Sequence, residues 1–499
     1  MIRSLMPVFC VANLVGSLNA ADESITYTKH VAPILFKHCA QCHRAGEVGP
    51  FSLLTYKDAA KRADFIKDIT ASGRMPPWKA EAQEHKFVDE RRLTRDERAL
   101  IAKWADNGAL EGDPRDLPPL PKFTEGWSLG EPDLIVKMPK AFTVPAGGRD
   151  VYRWFTLPLG QMEDRTVAAV DFRPGNRRVV HHAVLYLDTS GSARQRDPDG
   201  AGFSGFGGPP FPPAGGLGAW VPGMTPRRLP ENTGMFLPAK ADLVMQLHYH
   251  PSGKPEEDQS QVGFYFTKTL AKNIVGGITA LNTAINIPPG AKEYKISAQT
   301  TRLKVPVLAT AVFPHMHLIG KEMRVTAQLP DGSSTQLLHI KDWDFNWQNL
   351  YFFEKPIPLP IGTVVRVDAK YDNSADNPQN PNSPPKAVRW GEQTTDEMCL
   401  IAVQVMPEKP EDLRVLLRSP GNRLGAALVG GVTSVPGERK RDLKELVPAN
   451  GYPIPLLYQK LFEGHDRDKD RRLSVAEIEA MPPALRQRVI DYIESHPSK

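Results

Sequence analysis

The sequence predicts a multidomain chain: a small all-α module, a large β region forming two sandwiches, and a helical C-terminal segment. Three observations carry this reading. A length of 499 residues exceeds one ordinary core, since domains run to about 100–200 residues. The 47 prolines and 39 glycines require many turns and favour β-rich domains over helical bundles. The patterning also changes along the chain, from helix-forming and charged, to short β-branched runs, and back to helical.

The first twenty residues, "MIRSLMPVFCVANLVGSLNA", carry Arg3, a short apolar run and small residues at Ala20 and Ala21. This is the pattern of a secretory signal over residues 1–20. Its apolar run is shorter than the ~20 residues of a spanning helix, and no other stretch is long and apolar enough, so no transmembrane anchor is expected. A periplasmic or secreted location follows. Cys10 would leave with the signal, and Cys39, Cys42 and Cys399 then make no disulfide framework.

Residues 22–112 form the helical module. In "LTRDERALIAKWADNGAL", Thr94 followed by Asp96 and Glu97 is a helix start. A proline-dense linker spans 113–125. The β region falls into 126–284 and 285–410, with runs such as "RTVAAVDF", "DLVMQLHYH" and "TVVRVDAKY". It holds a long Gly/Pro loop, "SGFGGPPFPPAGGLG", readable as an ordered functional flap or as a mobile surface loop. A second linker, 411–450, precedes the helical segment 451–499. Hydrophobic content of 41% with 8% aromatics is that of a globular protein, and a net charge of +5 spread along the chain gives no reason to expect nucleic-acid binding.

Three patterns carry chemistry. "CAQCH", Cys39 to His43, sets two thiols two residues apart with a histidine directly after. One helical turn can present Cys39 and Cys42 to the haem vinyl groups while His43 reaches iron. Neither a redox dithiol nor a structural zinc needs that trailing histidine. The sixth ligand is expected at Met75 in "SGRMPPW", with His85 as its competitor; a thioether favours reduced iron and suits an electron carrier. The segment resembles the cytochrome c domains of planctomycete-type proteins, in which an "MPP" methionine is the distal ligand. The interval from His43 to Met75 is short beside mitochondrial-type cytochromes c.

The second pattern is histidine clustering. "VVHHAVLY" (His181, His182), "VMQLHYHP" (His248, His250) and "FPHMHLIG" (His315, His317) hold six of the 13 histidines in strand-like surroundings. Side chains at i and i+2 of a strand share a face, so such pairs can share one ion. Imidazole suits copper and zinc alike, and spacing does not choose between them. With "TTDEMC" (Thr394 to Cys399), these segments are similar in order and spacing to the copper type II, ascorbate-dependent monooxygenases, the peptidylglycine α-hydroxylating and dopamine β-monooxygenase family. The likeness spans about residues 125–410.

That resemblance implies two jelly-roll-like copper domains. His181, His182 and His248 would bind an electron-transfer copper, and His315, His317 and Met398 an oxygen-activating copper, across a solvent-filled gap. Gln246 matches a family glutamine near the first copper, whereas His250 is not a family ligand. Copper-dependent hydroxylation of a substrate C–H bond with O2 is implied, Met398 sulfur stabilising Cu(I). Departures are informative. The family's "HHM" reads "HHA" here, with Ala183, and Cys399 lacks a disulfide partner in this region. The arginine and tyrosine that anchor a peptide carboxylate in the amidating enzymes are Phe313 and Ala402. A different, less polar small-molecule substrate is therefore expected.

The third pattern, "DRDKDRRLSVAE", resembles an EF-hand calcium loop. Asp466, Asp468, Asp470, Ser474 and Glu477 would be side-chain ligands, and Arg472 would supply its carbonyl. Leu473 is apolar as that loop requires, but Arg471 replaces the turn glycine, which should weaken binding. The expected cofactors are thus two coppers, haem c and calcium. The expected function is a monooxygenase drawing electrons from a periplasmic donor through its own haem. The competing readings are a haem and copper electron carrier without oxygenase activity, and a calcium-dependent scaffold.

Overall fold

A computed structural model describes residues 24–47, 49–123, 126–205, 208–222, 224–391, 393–418, 420–433, 443–454, 464–481, 485–486, 489–490 and 492–493. The expected signal, residues 1–20, lies outside them. The chain divides into two compact units. One comprises residues 1–45, 49–76 and 93–121, and the other residues 46–48, 77–92 and 122–499.

The first unit is helical. Helices Ala32–His38, Tyr56–Ala60, Ala63–Ala71 and Arg95–Asp106 surround Tyr27, Leu35, Ile66, Ile101 and Trp104. Local chemistry sets the helix starts. Thr94 Oγ1 accepts from the Glu97 N–H at 3.1 Å while the Glu97 carboxylate accepts from the Thr94 N–H at 2.7 Å, a reciprocal cap. Trp104 is fully buried, and its indole N–H donates to the Leu110 carbonyl at 2.9 Å.

The second unit is mostly β-sheet. Its first sandwich pairs one sheet in the order β1 (Leu134–Lys137), β11 (Gln261–Phe266), β4 (Arg165–Arg173), β8 (Thr233–Leu237), β12 (Asn273–Ile274) with another. The second sheet runs β6 (Phe203–Ser204), β3 (Val151–Pro158), β9 (Asp242–Tyr249), β5 (Val180–Asp188), β7 (Gly215–Trp220). Between them Phe155, Leu185, Leu243, Met245 and Phe264 form the core. The second sandwich has one sheet ordered β13 (Gly276–Asn282), β22 (Cys399–Pro407), β16 (Val307–His315), β19 (Tyr351–Leu359). Its other sheet is ordered β15 (Tyr294–Gln299), β20 (Val364–Tyr371), β17 (Gly320–Gln328), β18 (Ser334–Ile340). Val312, Met323, Val367, Ile401 and Val403 fill its centre. Small ribbons join β2 (Phe142–Val144) to β10 (Glu256–Asp258), β14 (Asn286–Ile287) to β21 (Val388–Arg389), and β23 (Tyr452–Pro453) to β24 (Arg472–Leu473).

Two segments depart from the sequence expectation. Residues 77–92 leave the helical unit and pack on the second sandwich, through bridges Ala80–Ile340 and Phe87–Phe353. Phe87 is buried and stacks on Phe353 at 5.3 Å, and Trp78 meets Tyr351 edge-on at 5.2 Å. The aromatic surface removed from water at these two contacts outweighs proximity in the chain. Where a linker was expected, helix Pro420–Leu428 lies on β13 and β7; a Cβ at Gly277 or Gly216 would collide with the backbone of Ala426 or Ala427. Its Gly421, Asn422 and Gly425 are poor helix formers, so packing rather than propensity supports it. Among the described residues no helix is long and apolar enough to cross a membrane.

Candidate metal centres

His181 and His182 are consecutive, and in a regular strand they would face opposite ways. The register of β5 against β9 shifts between Val180 and His182, and this bulge re-aims the side chains. His182 pairs directly with His248 across the two strands. The Nδ1 atoms of His181 and His182 lie 3.4 Å apart, and those of His182 and His248 lie 3.2 Å apart. Two nitrogens bound at about 2.0–2.1 Å to one tetrahedral ion are about 3.3–3.4 Å apart, so the three imidazoles fit a single metal.

Protonation suits that role. Burial, reinforced by the His248 charge, pushes His181 down to about 4, and His182 is pushed well below its ordinary value for the same reasons. Both are neutral ligands at pH 7. His248 Nε2–H donates to the Asp150 carboxylate at 2.7 Å, leaving Nδ1 as the free lone pair. Hydrogen bonding from His248 in turn holds Asp150 down to about 2. The Tyr152 ring stacks on His248 at 4.2 Å and 8°. His250 is exposed and shares the same carboxylate at 2.8 Å, outside the cluster.

The pair His315 and His317 is built differently from the period-two expectation. Strand β16 ends at His315, and His317 sits in the turn beyond. Glu397 aims that turn. Its buried carboxylate accepts from the backbone N–H groups of His317 at 2.9 Å, Ile319 at 3.1 Å and Met398 at 2.9 Å. Burial raises Glu397 to about 8 against the lowering effect of these donors. One carboxylate thus ties the turn carrying His317 to the segment carrying Met398, whose carbonyl also accepts from Tyr371 Oη at 2.8 Å.

Ring orientation is fixed on both histidines. His315 Nδ1–H donates to Gln348 Oε1 at 2.5 Å and His317 Nδ1–H to the Asp396 carbonyl at 3.2 Å, leaving both Nε2 lone pairs free. The rings are 5.0 Å apart, and burial first, then the His315 charge, pushes His317 down to about 3. Met316 and Met323 are fully buried in the sandwich core, whereas Met398, two residues before the Leu400 that pairs with His315, is half-buried. Phe313 pairs with Ala402 across β16 and β22, and its ring lies parallel to His315 at 6.1 Å.

Strand β9, which carries His248, and the segment leading to Met398 both belong to the second unit.

In the helical unit, Cys39 and Cys42 lie on one turn and are not disulfide-bonded, the Cys42 and His43 N–H groups both donating to the Cys39 carbonyl at 3.1 and 2.9 Å. His43 Nδ1–H donates to the Phe51 carbonyl at 3.1 Å, which leaves the Nε2 lone pair free. A Cβ on Gly49 would sit 2.8 Å from His43 Nδ1 and 2.7 Å from the Cys42 carbonyl oxygen, so only glycine lets the loop close over this turn. The donor set fits a covalently attached haem. Met75 is half-buried, its N–H donating to the Ile69 carbonyl at 3.2 Å. His85 belongs to the other unit, where its Nε2 bonds Thr335 Oγ1 at 2.8 Å.

In the C-terminal loop the carboxylates of Asp466, Asp468 and Asp470 lie within 4.8 Å of one another. Asp466 is buried and its Oδ1 has no hydrogen-bond partner, a vacancy that suits a cation. Arg471 holds φ +62°, the conformation a glycine would adopt freely. Ser474 and Glu477 cap helix Val475–Glu479 reciprocally, and Arg472–Leu473 pairs with Tyr452–Pro453. The short ribbon gives the loop a partner that its sequence does not advertise.

Asp150, Tyr152, Gln348 and Glu397 were not picked out from sequence. Glu397 alone carried a signal, its place directly before Met398.

No family model matches the chain. The chain is 25% identical over 293 residues to "DBH-like monooxygenase protein 1" of Gallus gallus and 23% identical over 287 residues to the protein of the same name from Homo sapiens. Each alignment covers 52% of this chain and 44% of the relative, so the chain spans less than half the length of these relatives. This distant similarity supports the copper monooxygenases at family level. Among solved structures, a putative alpha-L-fucosidase from Bacteroides ovatus covers 63% of this chain and 44% of its own at 9% identity and TM-score 0.16. PNGF-II covers 55% of this chain and 60% of its own at 9% identity and TM-score 0.19. Scores this low carry no statement about fold.

Proposed function

We propose that the protein is a copper-dependent monooxygenase that hydroxylates a C–H bond of a small, weakly polar substrate: R–H, O2, two electrons and two protons give R–OH and water. The observation that supports this best is the trihistidine cluster of His181, His182 and His248, together with the paired rings of His315 and His317, in a chain distantly similar to DBH-like monooxygenases. Copper held by His181, His182 and His248, and by His315, His317 and Met398, would supply one-electron redox steps and O2 activation.

The protein's own residues prepare the site. Asp150 holds the His248 proton on Nε2 and so keeps Nδ1 turned inward. Gln348 and the Asp396 carbonyl do the corresponding work for His315 and His317. Glu397 keeps Met398 in register with His317. Phe313, Leu400 and Ala402 share the sheet face of His315, and none offers a charge or hydroxyl to a substrate. Cys39, Cys42, His43 and Met75 would hold haem c as the entry point for electrons from a periplasmic or extracellular donor. Asp466, Asp468, Asp470, Ser474, Glu477 and the Arg472 carbonyl would hold a structural calcium.

Oxygen uptake by reduced, copper-loaded protein tests the proposal. Substrate-dependent uptake with a hydroxylated product is expected, and a glycine-extended peptide should not be amidated. Two bound coppers with no uptake across a panel of apolar and polar C–H substrates would favour the electron-carrier reading instead.

A further inference from the structure

Residues 341–350 join β18, the edge strand of one sheet of the second sandwich, to β19, the edge strand of the other. Three side chains of this loop meet His315 and His317. The Trp343 indole N–H donates to the His317 carbonyl at 3.0 Å, the Phe345 ring meets the His317 ring edge-on at 5.9 Å, and Gln348 Oε1 accepts from His315 Nδ1–H at 2.5 Å. Gln348 Nε2 donates to the Phe345 carbonyl at 2.8 Å, which fixes the end of the amide that faces His315. A Cβ on Gly320 would lie 2.9 Å from Trp343 Cδ1, so the indole closes directly over the end of the turn that carries His317.

The loop forms no helix or strand, so its course depends on what holds it from outside. Residues 77–92 supply that hold, and they belong to the same unit. On the β18 side the Glu81 N–H donates to the His339 carbonyl at 2.8 Å, and Gln83 Nε2 donates to the Leu337 carbonyl at 2.9 Å. On the β19 side the Val88 N–H donates to the Phe352 carbonyl and the Glu354 N–H to the Lys86 carbonyl, both at 2.9 Å. The segment thus spans the edges of both sheets and pins both stems of the loop.

Lys79 reaches the loop itself. It is buried, and its ammonium donates to Asp342, the neighbour of Trp343, at 2.8 Å and lies 4.0 Å from Asp344. Asp344 Oδ1 accepts from the Asn346 N–H at 3.0 Å, so the carboxylate nearest Lys79 after Asp342 also shapes the turn that leads to Gln348. Geometry at a metal centre depends on such outer supports as well as on the ligands.

We propose that residues 77–92 are a positioning strap for His315 and His317, with Lys79 a positioning residue that acts through Asp342 and the loop carrying Trp343, Phe345 and Gln348. The strap keeps the two rings in the relation that one shared metal ion needs. This rests on the reading of His315, His317 and Met398 as a copper centre and adds to it a control from a distant part of the chain.

The test uses full-length protein carrying His181→Ala and His248→Ala, which leaves the His315, His317 and Met398 copper to be read alone. Lys79→Met removes the ammonium and keeps an apolar stem, and Asp342→Ala removes its exposed partner; should the first misfold, the second reads the same contact. Each should weaken Cu(I) about tenfold against a chromophoric chelator, the low end of the loss on removing an outer partner of a metal ligand, and should alter the Cu(II) electron paramagnetic resonance spectrum. In metal-free protein, backbone amides of residues 343–348 and 317–320 should exchange hydrogen about tenfold faster. Parent-like affinity and spectrum in the folded variants would overturn the proposal, as would faster exchange confined to residues 343–348. Absence of copper from the parent under these conditions sinks the copper reading alone, and the strap is then judged on exchange: faster exchange in both segments supports it, and unchanged exchange at residues 317–320 overturns it.

Discussion

Asp150→Ala isolates how much of the trihistidine centre depends on a residue that touches no metal. His248 Nε2 has the Asp150 carboxylate as acceptor at 2.7 Å, and its Nδ1 faces His182 Nδ1 at 3.2 Å. Without Asp150 the imidazole proton is free to move to Nδ1, where it would oppose both the metal and His182. Tyr152, stacked at 4.2 Å, still holds the ring plane, so the site should weaken rather than vanish. Loss of such a partner ordinarily costs about 10–100-fold in metal affinity, or about 1.4–2.7 kcal/mol. Competition of the reduced protein with a chromophoric Cu(I) chelator would read one of two coppers weakened by that factor. Asp150→Asn keeps one acceptor oxygen and should fall between. His250→Ala should stay within about twofold, because His250 is exposed and points away from the cluster. Wild-type affinity at both sites in Asp150→Ala would refute the reasoning. In metal-free protein the half-exposed His248–Asp150 pair is worth about 1 kcal/mol at most. With the Asp150 pKa depressed to about 2, that contribution is present above the ordinary carboxylate range and disappears as pH falls through about 2.

Other outcomes follow from the same geometry. Glu397→Ala strands three buried N–H groups, each costing about 1–3 kcal/mol, and should remove copper–sulfur scattering in X-ray absorption while the trihistidine copper remains; retained sulfur ligation would contradict the tie between His317 and Met398. His181 and His317 are pushed down to about 4 and about 3 by burial, so the unfolded chain takes protons first on acidification. Metal-free protein should lose about 2 kcal/mol from each between about pH 7 and about pH 5, and an unchanged urea midpoint would count against it. Gly49→Ala drives a methyl into His43 and the Cys42 carbonyl; haem should still attach, but its iron ligation spectrum should change, and an unaltered spectrum would argue against His43 as the ligand held by Phe51. Arg471→Gly relieves a side chain from φ +62° and should stabilise the C-terminal loop by about 1 kcal/mol, read as tighter calcium binding or a higher unfolding midpoint; no gain in either would mean the arginine is not strained.

What could be read from the sequence was local. The Thr94–Glu97 cap lies within four residues of chain, so its geometry follows from residue types and spacing. The same holds for Cys39, Cys42 and His43 on one helical turn and for the alternating aspartates after His465. The histidine clusters were visible as clusters, but one local rule misdescribed how they are aimed in two places. Period-two alternation would separate His181 from His182 and place His317 on a strand. A bulge undoes the first and a carboxylate-bound turn the second.

The sequence by itself determined the mainly β character, the helical caps, and which short segments carry the clustered histidines, cysteines and aspartates, because each depends on dihedral preference, side-chain period or capping within a few residues. Residue pattern alone left His248 and His250 equivalent, and the tertiary structure puts His248 in the cluster with His250 exposed; it alone showed that Asp150, Gln348 and Glu397 bond His248, His315 and the His317 turn. It also decided that residues 77–92 belong with the second sandwich. Those partners are separated by 98 residues for Asp150 and His248, and by 80 for His317 and Glu397. Contacts at such range are set by strand register and by which faces bury one another, and a single-residue slip in register would turn every one of these side chains to the other side.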